Sequence, residues 1–127
     1  MASTFTILVG SHTYNVYTLH FSPSSDSDAL KVVSRTNIGY HPTYLVRHPT
    51  VKDRVITTIE QEAGELAVLK VDYNGAVQVV QKVGCGGLYP CFVMAVEDKV
   101  FATNVSCSSL MPNQYSIHLN SSSVPRF

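Results

Sequence analysis

The chain has no tryptophan, only three cysteines and a charged fraction of 14% that sums to zero net charge. Each scarcity closes off a class of function. The nine Lys and Arg are scattered, with no basic face or aromatic-plus-basic stripe, so no nucleic-acid partner is expected. Apolar runs such as Phe92–Val96 are far shorter than the roughly 20 residues of a membrane-spanning helix, and no membrane partner is expected either. The start, Met1-Ala2-Ser3-Thr4, lacks a positive segment leading into an apolar core, which sets a cytoplasmic location as the expectation. Cys85, Cys91 and Cys107 form no C-x-x-C pair, so they carry no zinc spacing and read as ordinary reduced thiols. No apolar set keeps a 3.6-residue period for three turns, so no helix is expected.

What the 127 residues do contain is β-branched and aromatic sequence with 45% hydrophobic content, enough for a core. The spacing predicts a first unit of strands at Phe5–Val9, Val16–Phe21 and Ala29–Arg35. Tyr17, Leu19 and Phe21 share one face of the second of these at period two. A second unit follows at Tyr44–Arg47, Val55–Ile59, Leu66–Val71 and Ala76–Val83, its last turn carrying Asn74-Gly75 as a hairpin signal in which both residues tolerate positive φ. A third begins with Phe92–Val96 and Val100–Asn104. Beyond Asn104 the alternation fails through Asn113, Gln114–Leu119 reads as one weak strand, and Asn120–Phe127 is a Ser-rich tail.

These units repeat. Leu30-Lys31-Val32-Val33-Ser34-Arg35 recurs as Val77-Gln78-Val79-Val80-Gln81-Lys82, and each copy runs through a glycine (Gly39, Gly86) into a Pro step. The two steps, His41-Pro42-Thr43-Tyr44-Leu45-Val46 and Tyr89-Pro90-Cys91-Phe92-Val93-Met94, place their prolines 48 positions apart. That is the length of one four-stranded blade of a β-propeller, an architecture in which each unit leaves an apolar face bare until a neighbour covers it. The fold expected is therefore all-β, with about two and a half antiparallel meanders of an incomplete propeller. The units lie at about 5–40, 41–88 and 89–104, and a divergent tail at 105–127. A WD or kelch propeller is disfavoured because the units carry no Trp-Asp step.

Several segments taken in order carry a more specific likeness: Leu8-Val9-Gly10-Ser11-His12-Thr13, then His41-Pro42-Thr43-Tyr44-Leu45-Val46-Arg47-His48-Pro49, then Val55–Glu60, Leu66–Gly75 and Gly86–Phe92. Their succession and spacing over roughly residues 5–104 resemble the seven-bladed β-propeller lactonase family, which contains one type of 6-phosphogluconolactonase and fungal carboxymuconate-cyclizing enzymes. The resemblance implies hydrolysis of a sugar lactone, with 6-phosphogluconolactone as the leading substrate and no cofactor. Seven such units need a chain of well over about 300 residues, so the resemblance also implies an N-terminal fragment of weak or absent activity. The alternative is a non-enzymatic fragment that acts through open sheet edges, including self-association.

Lactone hydrolysis needs a base to activate water and donors for the developing oxyanion. The resemblance puts Glu60 at a strand end facing the central channel, as the catalytic acid/base or a sugar-hydroxyl contact. Asn104 matches a family Asn one unit further on. His12, in the Gly10-Ser11-His12-Thr13 turn, is the other candidate substrate contact. Glu60 and His12 each have a plainer reading: a solvated carboxylate beside Glu62 and Glu65, and a turn histidine bonded to nearby backbone. His41 and His48 each precede a proline, which is expected to hold them extended as connection residues. Ser11 and Ser34 lack a G-x-S-x-G elbow, Cys91 lacks a basic neighbour, and no residue set suggests a metal site. Gly84-Cys85-Gly86-Gly87 reads as punctuation between units.

Overall fold

The computed structural model describes residues 3–24 and 27–105, and the backbone of 115–118. The unpatterned stretch at 106–114, with Cys107, and the tail at 119–127 lie outside the described residues. Among the described residues there are ten strands and no helix: β1 Phe5–Val9, β2 Asn15–Phe21, β3 Leu30–Asn37, β4 Leu45–Arg47, β5 Arg54–Ile59, β6 Glu65–Val71, β7 Val77–Gly84, β8 Pro90–Val96, β9 Lys99–Asn104 and β10 Tyr115–His118. They form three consecutive antiparallel meanders: β1-β2-β3, β4-β5-β6-β7 and β8-β9-β10. The all-β, blade-like expectation holds. The weak strand in Gln114–Leu119 is real backbone pairing, Tyr115 opposite Ala102, so the third sheet has three strands.

Burial explains why only the middle unit reads as nearly continuous apolar sequence. Its sheet is covered on both faces. One face, Ile56, Leu66 and Val68 with Val46 and Val83, packs forward onto Val93, Val100 and Ala102 of the third sheet. The rear face, Ile59, Ala67 and Leu69 with Leu45, Val55, Val77 and Val79, packs onto Val16, Ile38 and Leu8 of the first unit. Alternation along β5 and β6 therefore sends successive side chains into two different cores, and neither strand needs a polar face. Thr57 and Thr58 satisfy the same demand with fully buried β-branched side chains. Each fully buried Ile or Leu contributes about 1.5–3 kcal/mol relative to exposure.

The repeat extends to its irregularities. Opposite the Thr18/Leu19 step β3 has one extra residue, Val33, and opposite Val68/Leu69 β7 has one extra residue, Val80. Both bulged valines are 45% exposed. A bulge reverses which face the following residues meet. Hence Val77 and Val79 join the rear core, while Val83 joins the forward one.

The links between sheets repeat as well. His41 (φ 48) and Tyr89 (φ 50) both adopt the left-handed conformation just before their prolines. This corrects the expectation of an extended His41. Proline steers the residue before it away from the right-handed helical region and toward extended backbone, and here tertiary hydrogen bonding holds the left-handed bend instead. The left-handed bend lets each linker cross the previous sheet's loop, where the His41 N–H donates to Thr13 O and the Tyr89 N–H to Gln61 O, both at 2.9 Å. The Asp72–Gly75 hairpin differs from expectation too, because only Gly75 (φ 86) is left-handed. The Asp72 carboxylate accepts from the Asn74 and Ala76 N–H groups at 2.8 and 2.9 Å, and this Asx turn keeps Asn74 at negative φ.

Candidate functional site

Strand direction gathers the candidates at one end. β4 leaves the linker at Leu45, β5 returns to it at Ile59, and β1 and β9 end on the same side. At that end the Ser11 N–H donates to Pro42 O (3.0 Å), the Glu60 N–H to His41 O (3.1 Å) and the Val105 N–H to Tyr89 O (3.0 Å).

Register shows which positions are equivalent. Val9 lies opposite Tyr17 as Thr57 lies opposite Ala67, so three residues further along His12 and Glu60 occupy the same place in successive units. In the third unit Ala102 takes the place of Thr57, which puts Asn104 at the position of Ile59 and Val105 at that of Glu60. One residue of offset turns a side chain to the other face.

Glu60 is half-buried. Its Oε2 accepts a hydrogen bond from the Thr43 hydroxyl at 2.8 Å, and Thr43 lies 3.3 Å from the hydroxyl of the buried Thr58. Thr58 Oγ1 in turn accepts from the Tyr44 N–H at 3.2 Å, so the chain of hydroxyls is fixed to backbone. Glu60 Oε1 has no partner among the described residues.

His12 is exposed, and its ring meets His41 edge-on at 5.2 Å between centroids. His41 stacks on Tyr40 at 3.7 Å, and Tyr40 meets Tyr14 at 5.5 Å. A row of four rings therefore runs beside the strand end that carries Glu60. His41, set aside in the sequence as a connection residue, sits in the middle of that row. The signal that could have found it is its equivalence to Tyr89, an aromatic or His before each proline.

Asn104 is placed differently. Its Oδ1 accepts from the Cys85 thiol at 3.1 Å, and its Nδ2 is buried without a partner among the described residues. A Cβ on Gly87 would overlap that amide, so the linker closes over Asn104 only because residue 87 is glycine. Burial raises the pKa of the Cys85 thiol, outweighing the opposing effect of backbone hydrogen bonding at Gly87. Both Cys85 and Cys91 are free thiols.

Two clefts flank the middle sheet. One of about 450 Å³ between β1 and the β4–β5 pair is lined by Leu45, Val55, Arg47, Lys52 and Asp72. A more open one of about 890 Å³ is lined by Gln61, Glu62, Gly64, Gly86 and Leu88. Neither is lined by Glu60, His12 or Asn104. Arg47 and Lys52 are cations the sequence reading did not single out, since they are separated by a turn and meet only in the fold. Among the described residues no group of three His, Cys, Asp or Glu could hold a metal ion, and no helix is long and apolar enough to cross a membrane.

Meanders laid face to face in chain order, with linkers crossing at one end, define a run of β-propeller blades. Comparison with solved structures supports that fold. The chain matches a provisionally named 6-phosphogluconolactonase from Bacteroides fragilis with a TM-score of 0.69 and 18% identity, over 80% of this chain and 30% of that one. It matches a second protein so named, from Bacteroides uniformis, with a TM-score of 0.67 and 21% identity, again over 80% of this chain and 30% of the other. At these identities the likeness establishes the fold, and the chain spans 30% of the length of each structure. No protein-family model and no curated protein matches the sequence.

Proposed function

We propose that the chain is part of a sugar-lactone hydrolase, with 6-phosphogluconolactone as the leading substrate. The observation that supports this reading is the Glu60 carboxylate, anchored through one oxygen by Thr43, on a residue whose backbone N–H bonds to His41 O of the His12–His41–Tyr40 row. Aromatic faces suit the apolar face of a pyranose ring, and an imidazole supplies a donor. In the step envisaged, Glu60 takes a proton from water as the water oxygen bonds to the lactone carbonyl carbon. His12 donates to the oxyanion. The ring C–O bond then breaks, and the proton passes from Glu60 to the departing ring oxygen. Thr43 is a positioning residue. Asn104 enters this reading as a support for the linker over it, because its Oδ1 accepts from Cys85 and Gly87 packs closely over its side chain.

The test is acid release from 6-phosphogluconolactone by the purified chain, corrected for spontaneous opening. A weak acceleration that Glu60→Gln abolishes supports the reading. An acceleration that survives Glu60→Gln unchanged refutes the role given to Glu60, and no acceleration at all leaves the chain as the inactive fragment that the resemblance allows. A second reading, a non-enzymatic unit acting through its open sheets, is favoured by one observation: among the described residues β1 pairs with β2 on one side only.

A further inference from the structure

Two sheet faces in this chain are apolar and uncovered, and they are of complementary kinds. The first sheet exposes its rear face: Phe5 (54%), Leu30 (56%) and Val32 (54%), with Ile7 and Val9 beside them. By register, Ile7, Leu30 and Val32 stand where Val55, Val77 and Val79 stand in the middle sheet. Those three are covered by the forward face of the preceding sheet, through Leu8 and Val16. The third sheet exposes its forward face, Met94 (44%) and Val96 (48%). Met94 stands where Val46 stands in the middle sheet, and Val46 is covered by the rear face that follows it.

Among the described residues there are thus two interfaces of one type, forward face on rear face, and one unmet member of each. We propose that a second copy of this chain completes the pair, the third sheet of one copy packing on the first sheet of the next. The contact is heterologous, so it propagates into a ring or a chain of copies rather than stopping at a symmetric dimer. Apolar faces of this extent on a soluble domain mark an interaction surface. Here the two internal junctions specify what kind of surface each one takes. The inference stands independently of lactone chemistry.

Sedimentation velocity over a range of concentrations tests it, using Leu30→Glu to spoil the rear face and Met94→Glu to spoil the forward face. Both side chains are already exposed, so neither change disturbs a packed core. The wild type should associate with rising concentration. Each variant alone should remain at the 13.9 kDa monomer. An equimolar mixture should form a 1:1 complex and nothing larger, because one good face of each kind survives. Val32→Glu and Val96→Glu repeat the design if either first variant fails to fold. A wild type that stays monomeric overturns the proposal and leaves the faces to other sheets. So does a rear-face variant that still self-associates, or a mixture that does not combine.

Discussion

The junction between the first and second sheets hangs on one glycine. Thr18 is fully buried on the forward face of β2, and its hydroxyl donates to Gly75 O at 2.7 Å across the gap between sheets. A Cβ on Gly75 would lie 2.5 Å from Thr18 Cγ2 and 2.7 Å from Thr6 Cγ2, and the residue has φ 86. Gly75→Ala therefore meets two separate penalties. The left-handed backbone costs an alanine about 1–2 kcal/mol, and overpacking against two methyls costs about 1–3 kcal/mol more. A loss of roughly 2–5 kcal/mol lowers the midpoint of a domain this size by about 10 °C or more. Thr18→Ala leaves the Gly75 carbonyl without its donor, at about 1–3 kcal/mol, but it also removes one of the two clashing methyls. The double variant should then be less unstable than the two single losses together, by about 1 kcal/mol. Urea and thermal unfolding followed by far-UV circular dichroism measure all four corners of the cycle. A Gly75→Ala loss below about 1 kcal/mol, or a strictly additive double variant, would refute the claim that this contact sets the spacing of the sheets.

Two further outcomes follow from ionisable groups. His48 Nδ1 accepts from the Thr50 and Val51 N–H groups at 3.2 and 3.1 Å, and burial, then the nearby Arg54 charge, lowers its pKa below the ordinary 6.5. A depressed folded pKa gives stability that is complete above pH 6.5 and is lost as pH falls through the folded value. The urea midpoint of the wild type should therefore fall further on acidification than that of His48→Asn, whose amide oxygen accepts without titrating, and parallel pH curves would count against this. In a Cys107→Ser background, Cys91 should react with a disulfide reagent in the folded protein and Cys85 only on unfolding, because Cys85 is 1% exposed and donates to Asn104. Equal rates for the two thiols would show that the linker over Cys85 opens freely.

Strand positions were legible because β-branched runs and turn residues report local geometry, and the repeat reported how sheets stack. Register was not. Val32-Val33 and Val79-Val80 look like uninterrupted strand in the sequence, and only the hydrogen-bond partners show that Val33 and Val80 are extra residues. The same blindness affected the site. Glu60 and Asn104 both end a second strand of their units, yet pairing puts Asn104 in the place of Ile59, one residue short of Glu60's equivalent. Because a strand alternates, that single step separates a side chain under the linker from one at the sheet's open end. His12 as the counterpart of Glu60 was hidden for another reason: among the described residues no strand pairs with the far side of β1 to fix the count. His41's left-handed turn was hidden because a residue before proline is restricted in more than one way, and tertiary hydrogen bonding chose among them.

The linkers that join the sheets are also the segments that build the candidate site, and this limits how the site can be probed. The linker carrying Tyr40 and His41 also sends the His41 N–H to Thr13 and receives the Ser11 N–H at Pro42. A change at His41 therefore loosens the first junction while it removes a ring from the row, and lost activity would not say which mattered. Glu60 separates the two. Its backbone N–H makes the structural bond to His41, whereas only its carboxylate reaches Thr43. Glu60→Gln keeps the backbone bond and an oxygen for the Thr43 hydroxyl while removing the base. If the chemistry resides in the carboxylate, that variant loses turnover with its unfolding midpoint unchanged, and a fall in both would return Glu60 to the class of linker supports.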